Sequence, residues 1–308
     1  MKKILPPIDE ISKNIIYILS LDSKTPSEKI AIDLETSRRI VDNRIKKLYS
    51  DKIIKPLLIF NDDTFKLTIL LKLSSFDKDL INSVKKISPL IKLKECLGAY
   101  DLSILLACEK EEELQNILNK INKLFNQNIQ NMDIITHNFE DTLGYKSFCT
   151  DFSLLNYDML KPNKNCLNEV DKRLLSYLKD NPLISYKELT KQTKMSYKKI
   201  KNSILKLLEN KIIRFSIDPD YNKLNLEFHN VLVKVNPVKT EEFEKNIISH
   251  PRIHWFKKGS GKWNYILSVC ATDISEFIDV TRDIRSQNKD IIFDLSAIIS
   301  KINVMRKF

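Results

Sequence analysis

Glycine is scarce in this sequence, which has four glycines in 308 residues. Two of them lie in KKGSGKWNYI, residues 257–266, where GSGK looks like the end of a phosphate-binding P-loop. That motif requires a glycine five residues before its last one and a hydroxyl side chain after the lysine. Phe256 and Trp263 occupy those positions. The sequence therefore excludes a P-loop nucleotidase and favours a tight turn between two strands.

The spacings of a metal site are also missing. The five cysteines form no C-x-x-C pair, and no histidine lies near them at ligand spacing. This argues against a zinc site and a disulfide framework, so we predict no metal, no cofactor and a reducing, cytoplasmic environment. Long apolar runs are absent, and we expect neither a secretory signal nor a membrane span. Because no Ser-His-Asp set or acid pair stands out, we predict that the protein is not an enzyme.

Positive charge, in contrast, is abundant. The sequence has 51 Lys and Arg against 40 Asp and Glu, a formal net charge of +11. Such an excess favours a polyanionic partner, most simply double-stranded DNA. Net charge alone does not identify the function, so the positions of the charged residues along the chain have to be considered.

The chain contains an internal repeat. IDEISKNIIYIL at 8–19 aligns with LNEVDKRLLSYL at 167–178, an offset of 159 residues (167 − 8). Without a gap, the same offset aligns 37–55 with 196–214. A gapless similarity of this length predicts a duplicated unit.

Each copy begins with the pattern of a winged helix-turn-helix. In the second copy, apolar residues recur at helical spacing until Asn181-Pro182, which ends the first helix. Ser185, with Glu188 as capping-box partner, and Ser196 are predicted N-caps of two further helices. A turn and an alternating strand follow, so each copy is predicted to hold three helices and a strand pair, the wing. We predict winged helix-turn-helix modules over 1–60 and 167–222.

The third helix of each module carries basic and amide side chains away from its apolar stripe. Recognition helices place such groups against base edges and phosphates. Asp42 is an exception, because a carboxylate repels phosphates, although it could accept from a cytosine amine. The predicted DNA-binding residues are Ser37, Arg38, Arg39, Asn43 and Arg44 in the first module and Ser196, Tyr197, Lys198, Lys199, Lys201 and Asn202 in the second.

The second half of each copy follows the order βαββαβ, which is typical of a ferredoxin-like domain. We predict these domains over 61–140 and 223–308, joined by a linker over 141–166 with a flexible joint at 161–165. The linker aromatics Tyr145, Phe148, Phe152 and Tyr157 are predicted to pack on a sheet.

The glycine pair of 257–266 has a counterpart in the first copy. LGAYD at 97–101 aligns with SGKWN at 260–264, which pairs Gly98 with Gly261 and Tyr100 with Trp263. Each glycine is predicted to lie in the turn between the second and third strands of its sheet, where it permits φ > 0.

This combination resembles the leucine-responsive regulator (Lrp/AsnC) family. The resemblance is carried by VDKRLLSYLKDNPLISYKELTKQTKMS at 170–196 and by GAYDLSILLA at 98–107. It covers nearly the whole chain twice, whereas the family usually has one unit per chain. The fold it implies is α+β: two copies of a winged helix-turn-helix followed by a βαββαβ ferredoxin-like domain.

The resemblance also implies an effector site. In that family the ferredoxin-like domain mediates dimer assembly and senses small molecules, often amino acids, near the hairpin glycine loop. Asn264 stands where an Asp is commoner in the family, and it offers no negative charge to an ammonium group. The implied effector-binding residues are Gly98, Tyr100, Asp101, Gly261, Trp263 and Asn264.

Our main hypothesis is a sequence-specific DNA-binding transcriptional regulator that responds to a small molecule and forms a dimer or larger homo-oligomer. Its two modules would act as a covalent pseudo-dimer on two half-sites. One alternative is an enzyme of haem biosynthesis, because siroheme decarboxylases resemble the same pair of domains, and His250, Arg252, His254 and Lys262 lie near the second hairpin. Another is a sensor or assembly protein whose first module no longer binds DNA, which Asp42 motivates.

Overall fold

The computed structural model describes residues 8–61, 64–75, 78–88, 90–108, 111–151, 154 and 167–305. The chain divides into two compact units, and each unit takes segments from both copies of the repeat. The first unit comprises 1–63 and 143–226, and the second comprises 64–142 and 227–308. Both helix-turn-helix modules therefore lie in the first unit, and both βαββαβ sheets lie in the second.

The elements follow the predicted order. The helices are α1 (Glu10–Leu21), α2 (Ser27–Asp33), α3 (Arg38–Ser50), α4 (Lys78–Val84), α5 (Glu111–Phe125), α6 (Glu169–Asp180), α7 (Tyr186–Thr193), α8 (Tyr197–Glu209), α9 (Thr240–Ser249) and α10 (Ile274–Gln287). The strands are β1 (Ile54–Phe60), β2 (Phe65–Leu73), β3 (Leu90–Gly98), β4 (Leu102–Cys108), β5 (Ile129–Thr142), β6 (Ile213–Pro219), β7 (Glu227–Val235), β8 (Ile253–Gly261), β9 (Tyr265–Ala271) and β10 (Ile292–Met305). The fold class is confirmed: α+β, with a winged helix-turn-helix and a ferredoxin-like domain in each copy. Among the described residues, no helix is both long and apolar enough to cross a membrane.

Side-chain caps fix the starts of the module helices. The hydroxyls of Ser185 and Ser196 accept from the backbone N–H three residues on, at the starts of α7 and α8. The reciprocal capping box lies elsewhere, at the start of α6, where Asn168 and Asp171 each accept from the other's backbone. Glu188 instead accepts from the side chain of Gln192, one turn further along α7.

The wings differ from the prediction, because each module supplies a single strand. Lys52 and Lys211 adopt left-handed backbone conformations just after α3 and α8, and the chain then enters β1 or β6 directly. β1 and β6 pair antiparallel along their whole length, from Ile54 opposite Pro219 to Phe60 opposite Ile213. This ladder joins the two modules, since within the described residues neither module holds a second strand to complete its own hairpin.

The described part of the predicted linker belongs to the first unit. Tyr145 and Phe148 pack into the core of the first module, in a cluster that includes Ile54 of β1 and Ile217 of β6. The Tyr145 hydroxyl also hydrogen-bonds the hydroxyl of Tyr221 at 2.7 Å. Phe152, Tyr157 and the predicted joint at 161–165 lie outside the described residues.

The second unit is a closed eight-stranded barrel built from both copies. The first copy has the strand order β3-β4-β2-β5 and the second has β8-β9-β7-β10. The two sheets join edge to edge through β5–β8 and β10–β3. Alternate side chains of each strand therefore face either the helices or the barrel interior. On β2, Leu67, Ile69 and Leu71 pack with α4 and α5, whereas Thr68 and Leu70 face inward.

Candidate functional site

The recognition helix of the second module, α8, presents an uninterrupted cationic surface. Ile200, Ile204 and Leu207 point into the module core and hold the helix in place. The predicted contacts Ser196, Tyr197, Lys198, Lys199, Lys201 and Asn202 are all exposed in its first two turns. Within the described chain, none of these three lysines forms an ion pair, so their charges are available to an external anion.

An aromatic pair lies at the start of the same helix. The ring of Tyr197 packs edge-on against that of Tyr186 in α7, with centroids 5.5 Å apart. Tyr197 nevertheless remains 54% exposed. Tyr197 is therefore held in position while its hydroxyl stays accessible.

In the recognition helix of the first module, α3, two of the three arginines predicted to contact DNA are paired with neighbouring carboxylates. Arg38 lies 3.6 Å from Asp42 on the same helix and 3.8 Å from Glu28 on α2. Arg44 forms a 2.8 Å ion pair with Asp9, the N-cap of α1. The other predicted contacts, Ser37, Arg39 and Asn43, are exposed. The two modules share a fold but present different charges.

The two hairpins of the predicted effector site come together in the barrel. Trp263 donates its indole N–H to the hydroxyl of Tyr100 at 2.8 Å, and both side chains are buried. Tyr100 in turn donates to Asp133 on β5. Lys262 lies 3.2 Å from the same carboxylate. These groups connect the β3–β4 and β8–β9 hairpins.

Asp101 and Asn264 make equivalent contacts in the two copies. Asp101 accepts from the backbone N–H of Leu73 at the end of β2 and from the ammonium of Lys72. Asn264 accepts from the backbone N–H of Val235 at the end of β7. The change from Asp to Asn therefore preserves the backbone hydrogen bond. The preceding glycines, Gly98 and Gly261, have φ of +125° and +148°. An effector role for these six residues remains a prediction.

The sequence analysis missed a group of lysines inside the barrel. Lys94 and Lys257 are only 4% and 3% exposed. Lys94 donates to the amide oxygen of Asn230 at 3.1 Å, and Lys257 lies 3.6 Å from the carboxylate of Glu140. Burial, reinforced by neighbouring lysines, lowers the pKa of Lys94 to about 7 and that of Lys92 to about 8. Burial also lowers the pKa of Lys257.

A period-two pattern was the signal for these lysines. In LIKLKECL, Lys92 and Lys94 alternate with leucines, so they share one face of the strand. An open sheet would expose that face to water. Closure of the barrel turns it inward.

The four basic residues near the second hairpin lie in three different environments, since only His250 and Arg252 are together. His254 is buried, and its ring packs edge-on against Phe228 at 5.3 Å. His250 accepts from the backbone N–H of Arg252, whose guanidinium pairs with Glu276. His250, Arg252 and Glu276 line a cavity of about 480 Å³, together with Asp279 and Asp283. Lys262 is bound to Asp133, as described above. No group of three or more His, Cys, Asp or Glu that could hold a metal was found in the described part of the chain.

Comparison with known proteins gives the class and then the family. Residues 167–214 match a family described as winged helix-turn-helix DNA-binding. An uncharacterized HTH-type transcriptional regulator from Pyrococcus horikoshii is 30% identical over 134 residues, which cover 89% of that protein and 41% of this chain. LysM, an HTH-type transcriptional regulator from Sulfurisphaera tokodaii, is 31% identical over 122 residues, covering 86% of it and 39% of this chain. The fold and these relatives define a helix-turn-helix DNA-binding protein. The chain belongs to the HTH-type transcriptional regulators of the Lrp/AsnC kind.

A structural similarity to an enzyme spans nearly the whole chain. The siroheme decarboxylase NirDL matches with a TM-score of 0.64 and 16% identity, covering 97% of this chain and 93% of that one. A structure of NirDL with an iron-uroporphyrin III analogue matches with a TM-score of 0.63. The similarity shows a shared fold. The prediction that the protein is not an enzyme is contradicted, because the solved structure that matches both copies together is the structure of an enzyme.

Proposed function

We propose that this protein regulates transcription by binding specific DNA sequences chiefly through α8, with α3 as a weaker second contact. The observation that carries this proposal is the exposed, unpaired cationic surface of α8 within a winged helix-turn-helix. The N-terminal turns of a recognition helix are the part that reaches base edges in the major groove.

The side chains of α8 suit two separate tasks. Lys198, Lys199 and Lys201 are long cations that can neutralise phosphates and release counterions. Asn202 can read adenine in a bidentate manner, and the Tyr197 hydroxyl can contact a phosphate or sugar. Affinity and sequence preference would therefore come from adjacent positions of one helix.

The first module would contribute less binding energy. Before Arg38 and Arg44 can contact phosphates, they must leave the carboxylates of Asp42 and Asp9, to which they are already bound. The β1–β6 ladder nevertheless presents both modules together. Once α8 has bound, the other module is at a high effective concentration near the DNA, and even a weak contact adds affinity. The protein would therefore prefer two half-sites over one.

A charge-matched comparison tests this proposal. Binding sites are first selected from random DNA, and binding is then measured by fluorescence anisotropy over a range of NaCl concentrations. The triple variant Lys198→Ala, Lys199→Ala, Lys201→Ala should weaken binding strongly and lower the slope of log K against log[salt] by about 3. The control Lys234→Ala, Lys245→Ala, Lys289→Ala removes the same charge from exposed positions of the second unit and should keep that slope. Failure to find salt-sensitive binding to any DNA would refute the proposal.

A second candidate function is removal of a carboxyl group from siroheme or a related iron tetrapyrrole. The observation that favours it is the similarity to siroheme decarboxylase NirDL across both copies. Incubation of the purified protein with siroheme, followed by mass spectrometry, tests it. Loss of the mass of CO₂ from the tetrapyrrole supports the candidate, and an unchanged mass spectrum refutes it.

A further inference from the structure

The interior of the barrel has two chemically distinct regions. One is apolar and contains Leu70, Tyr100, Ile135, Leu232, Trp263, Ile266 and Ile298. The other contains three lysines on strands from both copies: Lys92 and Lys94 on β3 and Lys257 on β8. We name these three residues the barrel lysines.

The described residues neutralise the barrel lysines only in part. Lys94 has a neutral partner, the amide oxygen of Asn230. Lys257 has a carboxylate partner, Glu140, but that side chain is 41% exposed and lies 3.6 Å away. No hydrogen bond or ion pair of Lys92 occurs among the described residues, and the opposite charge that acts on it is again Glu140. Within that part of the chain, the three ammonium groups thus share one carboxylate, and the charge of Lys66 on β2 lowers the pKa of Lys257 further.

This arrangement is costly for a protein without a ligand. Burying an ammonium group without a counterion costs several kcal/mol, and the repulsion between neighbouring lysines adds to that cost. Stability alone would favour apolar side chains here, as at the other end of the barrel. A bound anion would offset the cost by supplying charge-assisted hydrogen bonds.

Two further polar atoms in the barrel wall have no hydrogen-bond partner in the part of the chain that the structure describes. The Nδ1 atom of His137 is buried and unbonded, while Nε2 of the same ring lies 2.8 Å from the hydroxyl of Thr68. The hydroxyl of Ser300 on β10 is also buried and unbonded. Ser300 lies opposite Cys96 in the β10–β3 ladder, two residues beyond the inward-facing Ile298. These atoms are unused hydrogen-bonding groups near the barrel lysines.

We propose that the barrel lysines form a binding site for a small organic or inorganic polyanion, one that carries two or more carboxylate or phosphate groups. The ligand must be small, because the interior of an eight-stranded barrel is either filled by side chains or holds one small ligand. Entry from the end marked by Glu140 is consistent with the exposure of that residue. The site is distinct from the hairpin residues predicted to bind an effector, and it does not depend on the DNA-binding proposal.

The test is a ligand titration of the full chain at constant ionic strength. Thermal unfolding and isothermal titration calorimetry are carried out with citrate, with inorganic pyrophosphate, and with chloride as the non-specific reference. One or both polyanions should raise the melting temperature above the chloride value. Citrate and pyrophosphate together distinguish a carboxylate ligand from a phosphate ligand.

Variants assign the effect to the barrel. Lys94→Met and Lys257→Met should each weaken binding by about tenfold or more, because each removes a charge-assisted hydrogen bond. Lys245→Met, at an exposed position of α9, should bind as the wild type does. The two barrel variants should fold at least as stably as the wild type without ligand, since each removes a buried charge. The proposal is overturned if neither polyanion stabilises the wild type beyond chloride, or if both barrel variants bind with wild-type affinity.

Discussion

Burial governs the charge of Lys94. Its side chain faces Lys92 and Cys96 on its own strand, Asn230 on β7 and Lys257 on β8. Burial, followed by the charge of Lys92, lowers its pKa from 10.5 to about 7. In the unfolded chain the same lysine stays protonated up to its ordinary pKa. Between these two values the unfolded state binds more protons, so the stability of the folded state rises with pH.

The first prediction follows from this increase of stability with pH. Without added polyanion, the free energy of unfolding should increase between pH 7 and pH 9, as measured by urea denaturation at several pH values. Lys94→Met should reduce this increase, because it removes one of the lysines whose pKa is lowered on folding; Lys146, whose pKa burial also lowers to about 7, stays in the variant. Lys92, with its pKa lowered to about 8, would maintain part of it. An unchanged slope in Lys94→Met, with the exposed control Lys245→Met alongside, would contradict the burial argument.

Gly261 is constrained by both its conformation and its surroundings. It has φ of +148°, and a Cβ there would lie 2.2 Å from the carbonyl oxygen of Ile134 on β5. Gly98, its counterpart, has φ of +125°, but a Cβ there would lie 3.1 Å from the carbonyl oxygen of Ala297. The contact at Gly261 exists because β5 and β8 pair across the two copies.

The second prediction compares these two glycines. Gly261→Ala should destabilise the protein by about 3 kcal/mol, and Gly98→Ala by about 1–2 kcal/mol. Chemical denaturation of both variants under identical conditions measures the difference. Equal losses would mean that the strained φ alone matters and that the close approach of β5 does not.

At the scale of elements, the charge pattern of α3 is expected to limit how strongly the first module binds DNA. Asp42 lies one turn from Arg38 and binds it, and its carboxylate would also face the phosphates of bound DNA. Exposed ion pairs of this type contribute little to stability, on the order of 0.3–0.5 kcal/mol. Removing the carboxylate should therefore change DNA binding more than folding.

The third prediction is a gain of affinity. Asp42→Asn should strengthen DNA binding by roughly threefold to tenfold and steepen its salt dependence, because Arg38 then keeps only the exposed Glu28, 3.8 Å away, as a competitor of phosphate. Asp290→Asn, at an exposed position of the second unit, makes the same change of charge and should leave the affinity nearly unchanged. Electrophoretic mobility shift at several salt concentrations measures both variants. If Asp42→Asn weakens binding selectively, the carboxylate contacts the DNA directly, as acceptance from a cytosine amine would require.

Local elements could be predicted from the sequence far better than their pairing. The limits of α5, β7 and α9 agree with the helix at 111–125, the strand near 227–235 and the helix near 240–249 that the sequence pattern predicts, because periodicity and end signals act within a few residues. The prediction of a separate strand pair in each module was wrong, because β1 pairs with β6 of the other module. The barrel lysines were missed for the same reason: only the joins β5–β8 and β10–β3 place their face inside. Pairing of that kind links residues far apart in sequence and leaves no local pattern.

At the scale of the whole molecule, neither copy is complete alone. Each compact unit combines like parts of both copies, the modules in one and the sheets in the other. A single copy would expose one wing strand and both edges of its sheet. Exposed edges of that length readily pair with another chain. The relatives that match one half of this chain therefore correspond to its repeating unit.

The fourth prediction concerns the separated halves. Residues 1–151 and 167–308, expressed as two chains, should each associate with themselves, since β5 and β3 lack partners in one half and β8 and β10 lack them in the other. Mixed after joint refolding, they should form a one-to-one complex that restores the β1–β6 ladder and the closed barrel. Size-exclusion chromatography with light scattering measures the masses, and circular dichroism measures the recovered melting temperature. The hetero-complex should melt well above either self-associated half, because only it unites the hairpins through Tyr100 and Trp263 and brings the barrel lysines together. Stable monomers of both halves, each with a cooperative melt, would show that the copies fold independently and that closure of the barrel adds little.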